Sequence, residues 1–154
     1  MIKINVILSN NRWNKYLKSP INFIDKRILL INKKNKLYKK NILICSLLLA
    51  GTNEIKKLNQ KFRKKNKSTD VLSFPFHEPK FLKKIIIKKK EVYLGDIIIN
   101  LNKIKNKRNK IKFCEEFNKL WIHGLVHLFG HKHKIVKDFK IMEKIENKYL
   151  EYIN

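Results

Sequence analysis

The chain has 154 residues and a mass of 18.6 kDa, a size that suits one domain. Lys and Arg number 37 against 12 Asp and Glu, a formal net charge of +25, while 44% of residues are apolar. That apolar share supports a core and excludes a disordered basic tail.

Ile2 to Leu8 opens with Ile2, Ile4 and Val6 in alternation and predicts a strand. Pro20, followed by Ile21, Ile24, Ile28 and Ile31, predicts a helix with proline in its first turn. Ile42 to Ala50, apolar but for Ser46, predicts a buried strand. Thr52-Asn53-Glu54 offers a helix N-cap, and Ile55, Leu58 and Phe62 mark an apolar face behind it. Val71 to Phe76 and Val92 to Asn100 predict two more strands, joined by a variable basic loop. Asn102 to about Phe129 has helical spacing, with a break near Lys112. Phe113, Phe117, Leu120, Trp121, Gly124 and Leu128 form its apolar stripe, and Gly130 is placed to end it. A last helix is expected from about Asp138 to Tyr149. The alternation predicts one α/β (α+β) domain over residues 1–154, with a mixed sheet of about four strands and helices packed on it. Strand order is not set by this pattern.

The run Ile42–Ala50 is too short to span a bilayer. The start, MIKINVILSN, lacks the marks of a signal or transit peptide. Cys45 and Cys114 make no disulfide framework and are expected as free thiols in a cytoplasmic protein.

The charge has two sources. It fits a polyanion partner, with nucleic acid first. It also fits drift toward AT-rich codons, because 33 Lys, 23 Ile and 18 Asn dominate together and Lys outnumbers Arg 33 to 4. Residues that run against such drift are therefore informative: Gly51, Gly95, Gly124 and Gly130, and Arg12, Arg27, Arg63 and Arg108.

Four of the five histidines fall between His123 and His133. His123 and His127 are four apart and share one face of a helix. Gly130 allows a left-handed turn that returns His133 toward them. Three imidazoles with an open fourth position suit a catalytic zinc ion. The spacing H-x3-H-x2-G-x2-H matches the metzincin zinc sequence, but Gly124 stands where those proteases carry their Glu base. His131 and His77 have no defined place in this spacing.

Leu58-Asn-Gln-Lys-Phe-Arg63-Lys-Lys-Asn66-Lys-Ser68-Thr69-Asp70-Val-Leu-Ser73-Phe74-Pro75 is similar to the block L-N-x-x-[FY]-R-x-x-D-x-P-T-D-V-L-S-F-P of the YbeY family of bacterial endoribonucleases. His123–His133 resembles H-G-x-L-H-L-x-G-[YH]-D-H, and Leu94-Gly95-Asp96-Ile97 resembles the family's L-G-D-I strand. The resemblance implies zinc on His123, His127 and His133, and a functionally required arginine at Arg63. Asn66, Ser68, Val126 and Lys132 depart from the block. Lys132 replaces an acid, which removes an acceptor for a ligand imidazole and sets an ammonium near the ion.

The resemblance implies a single-strand-specific endoribonuclease acting in 16S rRNA 3′-end maturation and ribosome quality control, with pre-rRNA and the small ribosomal subunit as partners. Neither membrane nor DNA is expected as a partner. One zinc ion would lower the pKa of bound water to about 7. Arg63 would fork onto the phosphate. Glu143, Glu146 and Asp96 are the acids in view as a base, each more easily read as structural. A non-enzymatic metal-binding ribosome assembly factor and a metalloprotease are the alternatives. Gly124 counts against the protease, and the lack of a fourth ligand counts against a closed structural site.

Overall fold

A computed structural model describes residues 1–35, 40–133 and 135–154. Four strands, β1 (Ile2–Leu8), β2 (Ile42–Ala50), β3 (Val71–Pro75) and β4 (Glu91–Asn100), form one sheet in the order β1-β2-β4-β3. β1, β2 and β4 run parallel, and β3 closes one edge antiparallel to β4. Among the described residues, five helices accompany them: α1 (Pro20–Lys34), α2 (Thr52–Arg63), α3 (Pro79–Lys88), α4 (Lys110–Leu128) and α5 (Val136–Ile153). The expected α/β fold with a mixed four-stranded sheet is therefore the fold observed.

The main core lies on one face of the sheet. Leu43, Cys45, Leu47 and Leu49 of β2 meet Ile24, Ile28 and Ile31 of α1 and Phe113, Phe117 and Trp121 of α4 there. A smaller cluster of Ala50, Ile55, Leu72 and Ile98 seats α2 on the opposite face. β2 is thus fully buried on one side and only half-buried at Ile44, Ser46 and Leu48 on the other.

β4 keeps both halves of its length in the core by a bulge. Its pairing with β2 slips between Ile44 and Cys45, where Gly95 takes φ 133°. Side chains alternate across a strand, so one extra residue resets the phase. Val92 and Leu94 before the bulge, and Ile97 and Ile99 after it, then join the same core. A Cβ at position 95 would lie 2.1 Å from the Phe74 carbonyl oxygen.

Four local expectations are corrected. The basic segment between β3 and β4 holds α3, which starts at Pro79 and buries only Leu82 and Ile86. The break expected near Lys112 lies earlier, before Lys110. A short 3-10 turn (Leu101–Lys103) and a loop precede α4, whose start is fixed by the Asn109 side chain accepting from Lys112 N at 3.0 Å. The Glu116 carboxylate holds the loop by accepting from Lys105 N at 3.1 Å. Phe62, placed on the inner face of α2, is exposed and packs on Phe74 at 5.2 Å between centroids. The last helix runs longer than expected at both ends.

A feature without a sequence signal is the 3-10 turn Asn11–Lys15. It buries Trp13 completely, and the Trp13 indole N–H donates to Ala50 O at 3.1 Å.

Candidate active site

The site grows from α4. His123 and His127 occupy its last two turns on one face, and their rings meet edge-on at 4.5 Å between centroids. The helix ends at Leu128, with Phe129 as its cap. Gly130 follows at φ 89°, the left-handed conformation its lack of Cβ permits. This turn returns His133 to within 5.6 Å of the His123 ring and 5.1 Å of the His127 ring. One ligand atom from each of the three lies within 4.8 Å of the others.

The second ring nitrogens fix which atoms face inward. His123 Nδ1 is 2.8 Å from Glu146 Oε1 of α5, and His127 Nδ1 is 2.9 Å from the His131 carbonyl oxygen. With each Nδ1 proton engaged by an acceptor, the lone pairs fall on Nε2. The two Nε2 atoms face each other at 3.1 Å. Two lone pairs at that distance require a proton or a cation between them. Zinc–nitrogen bonds of about 2.0–2.1 Å in a tetrahedron set ligand nitrogens about 3.4 Å apart. The Nε2 pair therefore suits a zinc-sized ion, and His133 offers a third ligand atom within 4.8 Å of both. Burial lowers the His127 pKa, which favours the neutral, ligating form, while the His131 carbonyl partly opposes that shift.

Arg63, the last residue of α2, reaches the same place from the other side of the sheet. Its Nη2 donates to Ser73 O of β3 at 3.0 Å, and its guanidinium lies 5.6 Å from the Phe74 ring centroid. The nearby Asp70 carboxylate is engaged elsewhere: its Oδ1 accepts from Thr69 Oγ1 and Val71 N. Arg63, Ser73, Phe76, His127, His131 and Lys132 line one open cavity of about 450 Å³. The Ser73 hydroxyl is buried there without a hydrogen-bond partner. Phe76 stands at the rim, 69% exposed, with its ring held edge-on by His77 and Tyr93. A second cavity behind it is lined by His123, His133, Glu143 and Glu146.

Gly124 faces the sheet, not the histidines. A Cβ there would come within 2.6 Å of Ile97 Cγ2 and 3.2 Å of Ser73 Oγ. The contact lets α4 lie close on β3 and β4, and it excludes a glutamate at this position on steric grounds.

A family model described as endoribonuclease YbeY matches residues 7–154. The chain belongs to the YbeY endoribonuclease family. An endoribonuclease YbeY of Pelagibacter ubique is 43% identical over 99% of this chain and 97% of its own length. One from Buchnera aphidicola of Schizaphis graminum is 36% identical over 99% of this chain and 92% of its own. The solution structure of TM1509 from Thermotoga maritima aligns with a TM-score of 0.60 at 29% identity, covering 98% of this chain and 89% of that one. The YbeY assignment reached from three short motifs thus extends along nearly the whole chain.

Of the sequence-predicted site residues, His123, His127 and His133 converge, and Arg63 shares a cavity with His127. Of the acids considered, Glu146 sits against His123. Glu143 lines the second cavity. Asp96 accepts from Tyr93 OH at 2.7 Å and lines neither. Two contributors carried no sequence signal: the His131 carbonyl, a backbone group, and Phe76, which stands just past the quoted block.

Proposed function

We propose that this chain is a zinc-dependent endoribonuclease that cuts single-stranded RNA, with 16S rRNA 3′-end maturation and ribosome quality control in the cytoplasm as its setting. The observation that carries this reading is the shared cavity of Arg63 and His127, with His123 and His133 beside it. The endoribonuclease names of its relatives support the substrate class.

His123, His127 and His133 would hold the ion, which when bound acidifies a coordinated water to a pKa near 7 and polarises a phosphoryl oxygen. Glu146 and the His131 carbonyl keep Nε2 of two imidazoles turned inward. Arg63 has five N–H donors and spends one on Ser73 O, leaving others for phosphate oxygens. The exposed ammonium of Lys132 borders the same cavity and adds to its pull on phosphate. The Phe76 face at the rim offers an unstacked base a surface, a contact a paired base cannot reach.

The test is cleavage of a labelled single-stranded RNA and its duplex by purified protein, with chelator and after zinc is restored. Cleavage of the single strand is expected to stop with chelator and return with zinc. It is expected to fall at least about 100-fold in His127→Ala and Arg63→Ala. Equal activity in those variants would overturn the assignment of the site. Chelation that lowers the melting temperature while cleavage persists would mark the ion as structural.

A further inference from the structure

Two cavities adjoin where the starts of α1 and α4 meet the Asn11–Lys15 turn. One, of about 520 Å³, is bordered by Lys18, Lys26, Arg27 and Lys110. The other, of about 290 Å³, adds Lys15, Lys107 and Arg108. They share Tyr16, Lys18 and Lys110 and so form one trough. No carboxylate lines either cavity among the described residues.

This trough stands apart from the histidine cluster. Lys110 begins α4 and His123 lies 13 residues on (123 − 110), about 20 Å along the helix axis. Codon drift accounts for lysine anywhere on the surface but not for arginine, and two of the chain's four arginines are here. Arg27 is set in place: its guanidinium lies 3.3 Å from the Phe23 ring centroid, and Nη1 donates to Phe23 O at 3.1 Å. That bond uses one of five guanidinium N–H groups, and a phosphate oxygen is the natural acceptor for those that face the trough. Tyr16, stacked on Phe113 at 5.0 Å and 19°, and Phe23 stand among the cations. Cations interleaved with aromatic rings are the pattern of grooves that track single-stranded nucleic acid.

We propose that the trough between α1 and α4 is a second RNA-binding surface, which grips phosphodiester backbone remote from the scissile bond. It rests on the endoribonuclease reading for its choice of RNA. Its consequence is that long substrates bind through two places and short ones through one.

The test uses the triple variant Lys18→Gln/Lys26→Gln/Lys110→Gln, three exposed positions. Affinity for fluorescent single-stranded RNA of about twenty and about four nucleotides is measured over a salt series in chelator, and cleavage of both is measured with zinc. For the long RNA, the slope of log affinity against log salt is expected to fall by about 2, from about 0.7 per lost contact. Binding and cleavage of the short RNA are expected to be unchanged. An unchanged slope, or equal losses for both lengths, overturns the proposal. So does an acidic peptide that binds as tightly as RNA and is lost in the variant, since that assigns the trough to protein. If the wild type cleaves no RNA while the slope still changes, the endoribonuclease reading falls and the trough stands.

Discussion

Glu146 answers the concern raised by Lys132. The family acid at that position is gone, yet both inward-facing imidazoles of α4 keep an acceptor on Nδ1, one from α5 and one from the backbone at His131. Removing such an acceptor typically costs 10- to 100-fold in metal affinity. Glu146→Gln is expected to weaken zinc by about that range in competition with a chromophoric chelator, with the circular dichroism spectrum unchanged. Arg63→Lys keeps the charge and loses the planar fork. We expect kcat on single-stranded RNA to fall by about tenfold or more with KM little changed, since the fork is used most as charge builds on phosphate. The three histidines were legible because a helix and a glycine turn put fixed offsets on one face. Glu146 was not assignable, because a partner 23 residues away on another helix leaves no spacing rule.

At the scale of elements, the crossing of α4 over the sheet depends on Gly124. Gly124→Ala gains helix propensity of about 1 kcal/mol but drives a methyl into Ile97, and overpacking costs about 1–3 kcal/mol. A net loss of about 1 kcal/mol in urea unfolding is expected, and Ile97→Ala in the same chain is expected to make the alanine at 124 better tolerated than it is alone. The sequence marked Gly124 as kept against codon drift and as the missing protease base; the packing supplies the reason it is glycine. Strands and long helices were legible from their periods. The α3 helix was not, because only Leu82 and Ile86 of its ten residues are buried and its Lys and Ile content matches the chain's general bias. The early break before α4 was also hidden, since Asn and Lys fill helix and loop alike here.

For the molecule as a whole, the two thiols report on the core. Cys45 sits in the main core, and burial pushes its thiol up to about 12, with Asp96 adding to the shift. Cys114 is half-buried; burial raises its pKa while Arg27 and Lys110 pull it down. With a thiol reagent at neutral pH, one thiol is expected to react slowly in the native protein and both to react after unfolding. A raised folded-state pKa means that stability is retained below the unfolded thiol value near 9 and is lost as pH rises toward 12. Alkaline unfolding in that window, blunted in Cys45→Ala, is the check. Strand order belongs to this scale, and no local pattern showed that β4 would lie between β2 and β3.

The free edge of β3 carries one more consequence. Asp70 O and Phe76 N bond across to β4, so the alternate residues 71, 73 and 75 turn their backbone groups outward. The Val71 N–H is taken by Asp70 Oδ1, the Ser73 carbonyl by Arg63, and Pro75 has no N–H to offer. A sheet edge captures an extended polypeptide by presenting such groups in register. Here the edge beside the histidines is blunted by three different means. A peptide laid along it would have to break the Arg63 contact and would still find gaps in its ladder. A polynucleotide has no amide ladder to satisfy and meets, in that same arginine, a guanidinium already pinned for its backbone.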